Sequence, residues 1–478
     1  MTDRPNILFV LSDQHSVRAF GDNDDNPMRT PTLDRLASEG MSFNNAYCQN
    51  PLCVPSRSSL LTGKYSKNTG VYDNKHILEA NSPTLPRVLG AAGYRTCLIG
   101  KAHFNGDQFH GYQERPYGDF YGQAHQPDPG RTPGGGESGL SNWISTAGPS
   151  GIPISLTQTE ICVAEATKWL QTHVGLSPEQ PFFLSVNFDK PHFPINPPKR
   201  FFDHYAGVVE LPKFPVDWLQ AAVPFVQEVA RVNDAAPFHD DERVQRKALA
   251  SYFGCVEWVD DALGRVLDAL DYLGLADNTI VVYSADHGEM GAQRGIWQKT
   301  VFYEDSARVP LIVRWPGHIA ADIRSSVPVG LVDLLPTLCE VAETRVPSDL
   351  DGVSLLPLLA GDGAIERDAI FSESVVLNRP AYSGCMIRTG DWKYCYYIDG
   401  AQELYDLKAD PNEWTNLADD EKHRSVTEEL RARVVEFWRP KEQDARYAGT
   451  PAMRREKHFY EYSNQFTVGN GVVVDARP

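Results

Sequence analysis

Short apolar runs of strand length alternate with longer stretches of helical spacing along most of this chain. Ile7-Leu8-Phe9-Val10-Leu11 is apolar throughout and stops at Asp13. That is the pattern of a strand covered on both faces, spanning residues 5–12. The runs Thr96 to Ile99, Phe182 to Val186, Thr279 to Ser284 and Leu311 to Arg314 repeat it. Between them the period changes. Thr30-Pro31 opens a helix with Leu33, Leu36 and Ala37 on one face and Gly40 as its stop. Ser82-Pro83 opens a second, with Leu85, Val88 and Leu89 inward and Gly93 closing it. A third is expected around 156–173 and another near 331–342. Over 248–273, Leu249, Tyr252, Phe253, Val256, Val259, Leu263, Val266, Leu267 and Leu270 trace one face of a long amphipathic helix.

Strands alternating with helices predict an α/β fold with a mostly parallel central sheet between helical layers. Ligands of such sheets sit at the carboxyl ends of the strands. Asp13, Lys101, His192 and Asp286 each lie just past an apolar run, so four polar side chains are expected along one sheet edge. Residues 105–150, rich in Gly, Pro, Gln and Asp, read as an irregular excursion. Its Gly134 to Gly139 stretch matches G-x-G-x-x-G in form but has no strand before it, so it is not a dinucleotide site. After about residue 360 short apolar runs alternate with turns, and a helix covers roughly 423–438. The expected organisation is a catalytic domain over 1–365, a smaller α+β unit with an antiparallel sheet over 366–440, and a tail over 441–478. That tail, with Phe459, Tyr460 and Tyr462, is a candidate arm for a homo-oligomer, a dimer or tetramer.

Composition narrows the function. With 42% hydrophobic and 23% charged residues among 478, the chain can bury a sizeable core. It contains no apolar run of the ~18 residues a membrane helix needs. The first apolar run is too short for a signal-peptide core and is interrupted by Asp13, so a cytoplasmic protein without a membrane partner is expected. A net charge of −18 opposes nucleic-acid binding. An anionic substrate would therefore need positive charge gathered in one pocket. Eight cysteines without a C-x-x-C pair are neither a disulfide framework nor a thiolate zinc site.

One cysteine stands in a different setting. Cys53-Val54-Pro55-Ser56-Arg57, followed by Leu61-Thr62-Gly63, resembles the signature C-x-P-S-R of formylglycine-dependent sulfatases, members of the alkaline phosphatase superfamily. The resemblance runs from Asn6-Ile7 to Leu404-Tyr405-Asp406-Leu407 and Thr415-Asn416-Leu417. It implies the alkaline-phosphatase-like fold and conversion of Cys53 by a formylglycine-generating enzyme to an aldehyde that hydrates to a geminal diol. One hydroxyl attacks sulfur; the other helps expel sulfate. Asp13-Gln14 and Ser284-Ala285-Asp286-His287-Gly288 match the family's metal-binding segments. They imply Asp13, Asp286, His287 and the residue-53 oxygen as ligands of one divalent ion. Many members have an aspartate where this chain has Gln14, which leaves that ligand position open. Carboxylates suit Ca²⁺, whereas a histidine in place of the commoner asparagine moves the set towards Mn²⁺.

The same resemblance supplies the positive pocket. Gly100-Lys101-Ala102-His103 is similar to the family's G-K-x-H, Lys190-Pro191-His192 to its K-P-H, and Lys299 follows Asp286 at the family's spacing. Lys101 and Arg57 are expected at the sulfuryl oxygens, with Asn74 as an amide donor to them. Asp286 is expected to take the attacking hydroxyl's proton, His103 to serve sulfate release, and His192 or Lys299 to protonate the leaving oxygen. The substrate is expected to be a small sulfate ester. Residues 101–104, 107–115 and 306–310 look like choline sulfatases, with Phe104, Tyr121 and Trp297 as candidate walls of a cation cage. Asp286-His287 is shared with phosphonate monoester hydrolases, which typically lack the lysine of G-K-x-H. Choline sulfatase, a phosphonate or phosphodiester hydrolase, and a non-catalytic anion-binding protein with unmodified Cys53 are the alternatives.

Overall fold

The computed structural model describes residues 4–21, 27–105, 108–118, 140–215, 217–233, 241–361, 363–449, 465–468 and 472–475. Tyr121, Gly134 to Gly139, Phe459, Tyr460 and Tyr462 lie outside the described residues.

The apolar runs form the centre of an eight-stranded sheet. Its strands are β1 (Asn6–Asp13), β2 (Met41–Phe43), β3 (Arg95–Gly100), β4 (Glu114–Gly118), β5 (Phe182–Pro191), β6 (Thr279–Ala285), β7 (Leu311–Arg314) and β8 (Ile323–Ser325), in the order β4-β3-β5-β1-β6-β7-β2-β8. The first five in that order are mutually parallel. Only the pairings of β7 with β6 and with β2 are antiparallel. The sheet is therefore mostly parallel, as the alternation predicts.

Successive side chains of β1 point to opposite faces. Ile7, Phe9 and Leu11 enter a core built with α2 (Cys53–Thr62), α3 (Leu85–Ala91) and α7 (Leu334–Val341). Leu8 and Val10 enter the other, with α1 (Pro31–Ser38), α4 (Gln158–Leu176) and α5 (Glu242–Tyr272). Both faces of the central strands are thus covered. The long helix starts earlier than its apolar face suggests, because Asp241 caps it by accepting the Val244 amide at 3.1 Å.

Two expectations are corrected, and the tail gains an element. The second helix begins at Leu85, not at Ser82-Pro83. The excursion over 105–150 contains the edge strand β4 and a short helix over Leu140–Ser145. The tail contributes a hairpin of two strands, Gln465–Val468 and Val472–Asp475.

Beyond the central sheet, β9 (Ala369–Val376), β10 (Arg379–Thr389), β11 (Trp392–Tyr397) and β12 (Gln402–Asp406) form an antiparallel sheet in sequential order. One face holds α8 (Arg424–Trp438) through Leu430, Val434 and Trp438. Met386, Tyr397 and Tyr405 on the other pack against Ile296, Phe302 and Tyr303 of the chain around the large sheet. The smaller sheet is seated on the larger unit by an apolar interface.

Candidate active site

Register brings the polar strand ends together. Ser12 lies opposite Ala285, and Asp13 opposite Pro191, so Asp13, Asp286 and His192 emerge side by side. Gly100 lies opposite Asn187, and the Lys101 amide continues that ladder by donating to Asn187 O at 2.9 Å. Cys53 arrives from another direction, as the first residue of α2, whose ten residues are all buried. Four atoms of Asp13, Cys53, Asp286 and His287 lie within 4.8 Å of one another.

The hydrogen bonds define what each group offers. His287 Nδ1 lies 3.0 Å from Gly288 O. A carbonyl only accepts, so Nδ1 carries a proton, and in the neutral ring Nε2 presents a lone pair. That lone pair faces Cys53 Sγ at 3.2 Å, Asp286 Oδ1 at 3.6 Å and Asp13 Oδ1 at 3.9 Å. Asp13 Oδ1 is buried and has no hydrogen-bond partner among the described residues. A buried carboxylate oxygen left bare beside a histidine lone pair fits a cation better than it fits apolar packing. The donor set therefore suits a divalent metal ion.

Cations surround this set. Lys101 pairs with Asp13 Oδ2, and Arg57 bridges both carboxylates, Nη2 to Asp13 Oδ2 at 3.0 Å and Nε to Asp286 Oδ2 at 2.8 Å. Burial alone would raise the Asp13 carboxyl, yet Lys101 and Arg57 hold it well below the usual range. Burial likewise opposes ionisation of Cys53, but the cations, Lys299 first, lower its thiol.

Arg57 is tied to the protein through each of its nitrogens. Besides the two carboxylates, its Nη1 donates to Lys101 O at 2.8 Å, so all three nitrogens serve protein acceptors. Asn74 Oδ1 accepts the Val54 amide at 3.0 Å at the start of α2, leaving its Nδ2 as the donor. The Gln14 amide donates to Asp286 Oδ1 at 3.1 Å, while its side-chain Oε1 accepts from Lys299 and its Nε2 donates to Glu289. His103 is buried two residues past Lys101. Phe104 and Trp297 are core residues in separate apolar clusters, so they do not wall a common cage.

Sequence reasoning missed Asn105 and Glu289. Asn105 holds the loop that carries Asn74, and Glu289 orients Gln14. The local sequence carries no signal for either; in the structure Gln14, His103, Asn105, Gln298 and Thr300 all have φ between 52° and 87°. Such strain in non-glycine residues collects at functional sites.

Gly288 is sterically required. A Cβ there would fall inside contact distance of the Asp305 carbonyl oxygen in the short helix α6 (Glu304–Ala307), against which the Gly288 amide donates to Ser306 O at 2.9 Å. Gly288→Ala is expected to destabilise the protein by about 1–3 kcal/mol. An unchanged urea midpoint would contradict the close approach.

A mostly parallel sheet carrying a buried cysteine, two carboxylates and a histidine at one strand-end cluster, with cations around it, defines an alkaline-phosphatase-like hydrolase. The sulfatase family profile matches residues 5–344, and that for the C-terminal part of N-sulphoglucosamine sulphohydrolase matches 292–439. The chain belongs to the sulfatase family. It is 34% identical over 438 residues to the choline-sulfatase of Rhizobium meliloti (strain 1021), covering 87% of this chain and 83% of that one. It also resembles a solved structure in complex with its substrate, D-glucosamine-2-N,6-O-disulfate (26% identity, TM-score 0.74, covering 91% and 98% of the two chains). The phosphonate monoester hydrolase of Agrobacterium radiobacter shares the fold (23% identity, TM-score 0.74, 99% and 100%).

Proposed function

We propose that this sulfatase hydrolyses a small sulfate monoester with formylglycine made from Cys53 as nucleophile and one divalent ion, Ca²⁺ or Mn²⁺, as cofactor. The observation that carries the reading is the convergence of Cys53, Asp13, Asp286 and His287 within 4.8 Å. Asp13, Asp286, His287 and an oxygen of residue 53 would hold the ion, with Gln14 the open position. When bound, the ion supplies Lewis-acid polarisation of the sulfuryl group and a lowered pKa for the attacking hydroxyl. Formylglycine supplies the geminal hydroxyls, one to attack and one to expel sulfate.

The remaining residues divide the work. Arg57 keeps the two carboxylates apart and in register. Lys101 and the Asn74 amide serve the sulfuryl oxygens with charge-assisted and neutral donors. Asp286 takes the attacking hydroxyl's proton and His103 serves sulfate release. The tail is the proposed arm of a homo-oligomer.

Leaving-group protonation can be assigned more closely. His192 Nδ1 faces Phe193 O at 2.8 Å and so carries a proton; its Nε2 therefore accepts from Lys299 Nζ at 3.0 Å. Burial, reinforced by the Lys299 and Lys101 charges, pushes His192 well below its ordinary value, which keeps it neutral. Lys299 is then the proton donor and His192 its partner. General acid catalysis is worth ~10²–10⁴-fold, and an alkoxide needs the proton far more than a nitrophenolate does. Lys299→Ala is expected to lower kcat/KM on an alkyl sulfate by about that factor, and much less on nitrophenyl sulfate. Lys101→Ala should harm both alike, because both carry the same sulfuryl group. Equal losses on the two esters for Lys299→Ala would move Lys299 into the sulfuryl-binding set.

The choline-sulfatase relative makes choline sulfate the first ester to test, beside aryl sulfates, sugar sulfates and phenyl phosphonate. Lys101 favours sulfate over phosphonate, and a higher kcat/KM for phenyl phosphonate would reverse that ranking.

A further inference from the structure

The last described helix, α9 (Gln443–Gly449), lies outside both sheets yet reaches the loop beside the nucleophile position. Tyr447 OH donates to Asp73 Oδ2 at 2.5 Å. The Tyr447 ring meets His76 edge-on with centroids 4.9 Å apart. Asp73 is buried and gathers several other donors. Its Oδ1 accepts from Lys75 N at 2.8 Å and from His76 Nδ1 at 2.9 Å. Its Oδ2 also accepts the Asn378 amide at 3.3 Å, from the turn between β9 and β10. Asn105 grips the same loop from the other side, its Nδ2 donating to Asn74 O at 3.0 Å and His76 O at 2.7 Å. Three distant parts of the chain are thus fastened to residues 73–76, and Asn74 in that loop holds the Val54 amide.

We propose that Tyr447 is a positioning residue for the nucleophile: through Asp73 it holds Asn74 against the start of α2, and so sets the direction in which residue 53 presents its reacting atoms. The proposal rests on residue 53 being the nucleophile. The mechanism is geometric. A reacting group displaced by ~1 Å can lose ~10²-fold in rate, and a hydroxyl acting through two intermediaries should cost less than that. Tyr447 makes none of the proposed sulfuryl contacts itself and acts through Asn74, so its loss should lower kcat more than it raises KM.

The test is a double-mutant cycle of Tyr447→Phe and Asn74→Ala on the full chain, loaded with Mn²⁺ and assayed on nitrophenyl sulfate. Tyr447→Phe is expected to lower kcat about tenfold, with a smaller rise in KM and Tm little changed. Asn74→Ala should cost more, and the double variant should equal Asn74→Ala, because the tyrosine acts only through that asparagine. Additive losses, or a Tm loss without a kcat loss, would overturn the proposal. Arg446→Gln alters the same helix, where Arg446 holds Trp438 O and Glu442, and should leave kcat unchanged. An equal fall there would mean that docking of the whole helix matters and not the Tyr447–Asp73 bond. Peptide mass of residue 53 is read for every variant; incomplete conversion that accounts for the rate loss also overturns the positioning role. Turnover surviving in Cys53→Ala would instead fault the nucleophile reading.

Discussion

Cys53→Ala is expected to abolish turnover, a loss of at least about 10⁵-fold in kcat, while the protein stays folded. The size follows from the residue's position. Its side chain is the only candidate nucleophile in the four-member cluster, since the other three members are carboxylates and a histidine committed to Gly288 O. The fold should tolerate the change because alanine is a strong helix former at the start of α2. The substitution removes a single sulfur atom whose named contact is His287 Nε2 at 3.2 Å. The readouts are kcat, Tm and the peptide mass of residue 53. Conversion of the wild-type cysteine should appear as a loss of ~18 Da, the atomic bookkeeping of sulfur exchanged for oxygen with two hydrogens lost. Cys53→Ser separates nucleophile from diol. A serine can attack but has no second hydroxyl to expel sulfate, so it should stall with one sulfuryl group retained. Multiple turnovers by the alanine variant would end the covalent reading; a wild-type peptide with its cysteine intact would favour an anion-binding protein.

The parts of this molecule that were legible in the sequence are those where chemistry and period coincide. Asp13, Lys101, His192 and Asp286 could be placed on one sheet edge because each follows an apolar run, and β3, β5, β1 and β6 are indeed neighbours. The helix that begins at Cys53 was not legible as a helix. All ten of its residues are buried, so it shows no polar face and hence no amphipathic period. Strand β4 was missed because it is a five-residue edge strand interrupted by Pro116, and edge strands tolerate proline and need not alternate. The surroundings of Arg57 were not legible for a different reason. A motif fixes where a side chain lies but not which acceptors surround it, and here two carboxylates and a carbonyl take its donors. Tyr447 could not have been found at all, since its contact with Asp73 joins positions far apart in sequence through one hydrogen bond.

The site also shows how an acidic chain accommodates an anionic substrate. Arg57, Lys101 and Lys299 are buried, and each is met by a fixed acceptor: Asp13 and Asp286 for the first, Asp13 for the second, Gln14 and His192 for the third. Preorganised charge of this kind needs no rearrangement when negative charge grows on a sulfuryl group. It also explains why net charge alone misleads. The −18 overall describes the surface, whereas the pocket is set by a few paired cations in a water-poor interior.

Removing the divalent ion is expected to lower kcat by at least about 10³-fold, with one ion per chain restoring it; the transition-state stabilisation at stake is several kcal/mol. The motivation is the bare Asp13 Oδ1 beside the His287 Nε2 lone pair. His287 also bears on which ion binds. Imidazole nitrogen favours first-row transition metals over Ca²⁺, which prefers oxygen donors. The wild type stripped by a chelator should therefore regain activity at lower Mn²⁺ than Ca²⁺ concentrations. His287→Asn replaces the nitrogen donor by an amide oxygen while keeping a short polar side chain, and should shift the preference towards Ca²⁺. Elemental analysis of the dialysed protein measures this independently of turnover, as ions per chain after equilibration with equal Mn²⁺ and Ca²⁺. Full activity with the site shown to be empty would remove the metal from the mechanism. An unaltered Mn²⁺ to Ca²⁺ ratio in His287→Asn would show that the histidine does not ligate the ion, and would leave Asp13, Asp286 and residue 53 to hold it with another donor.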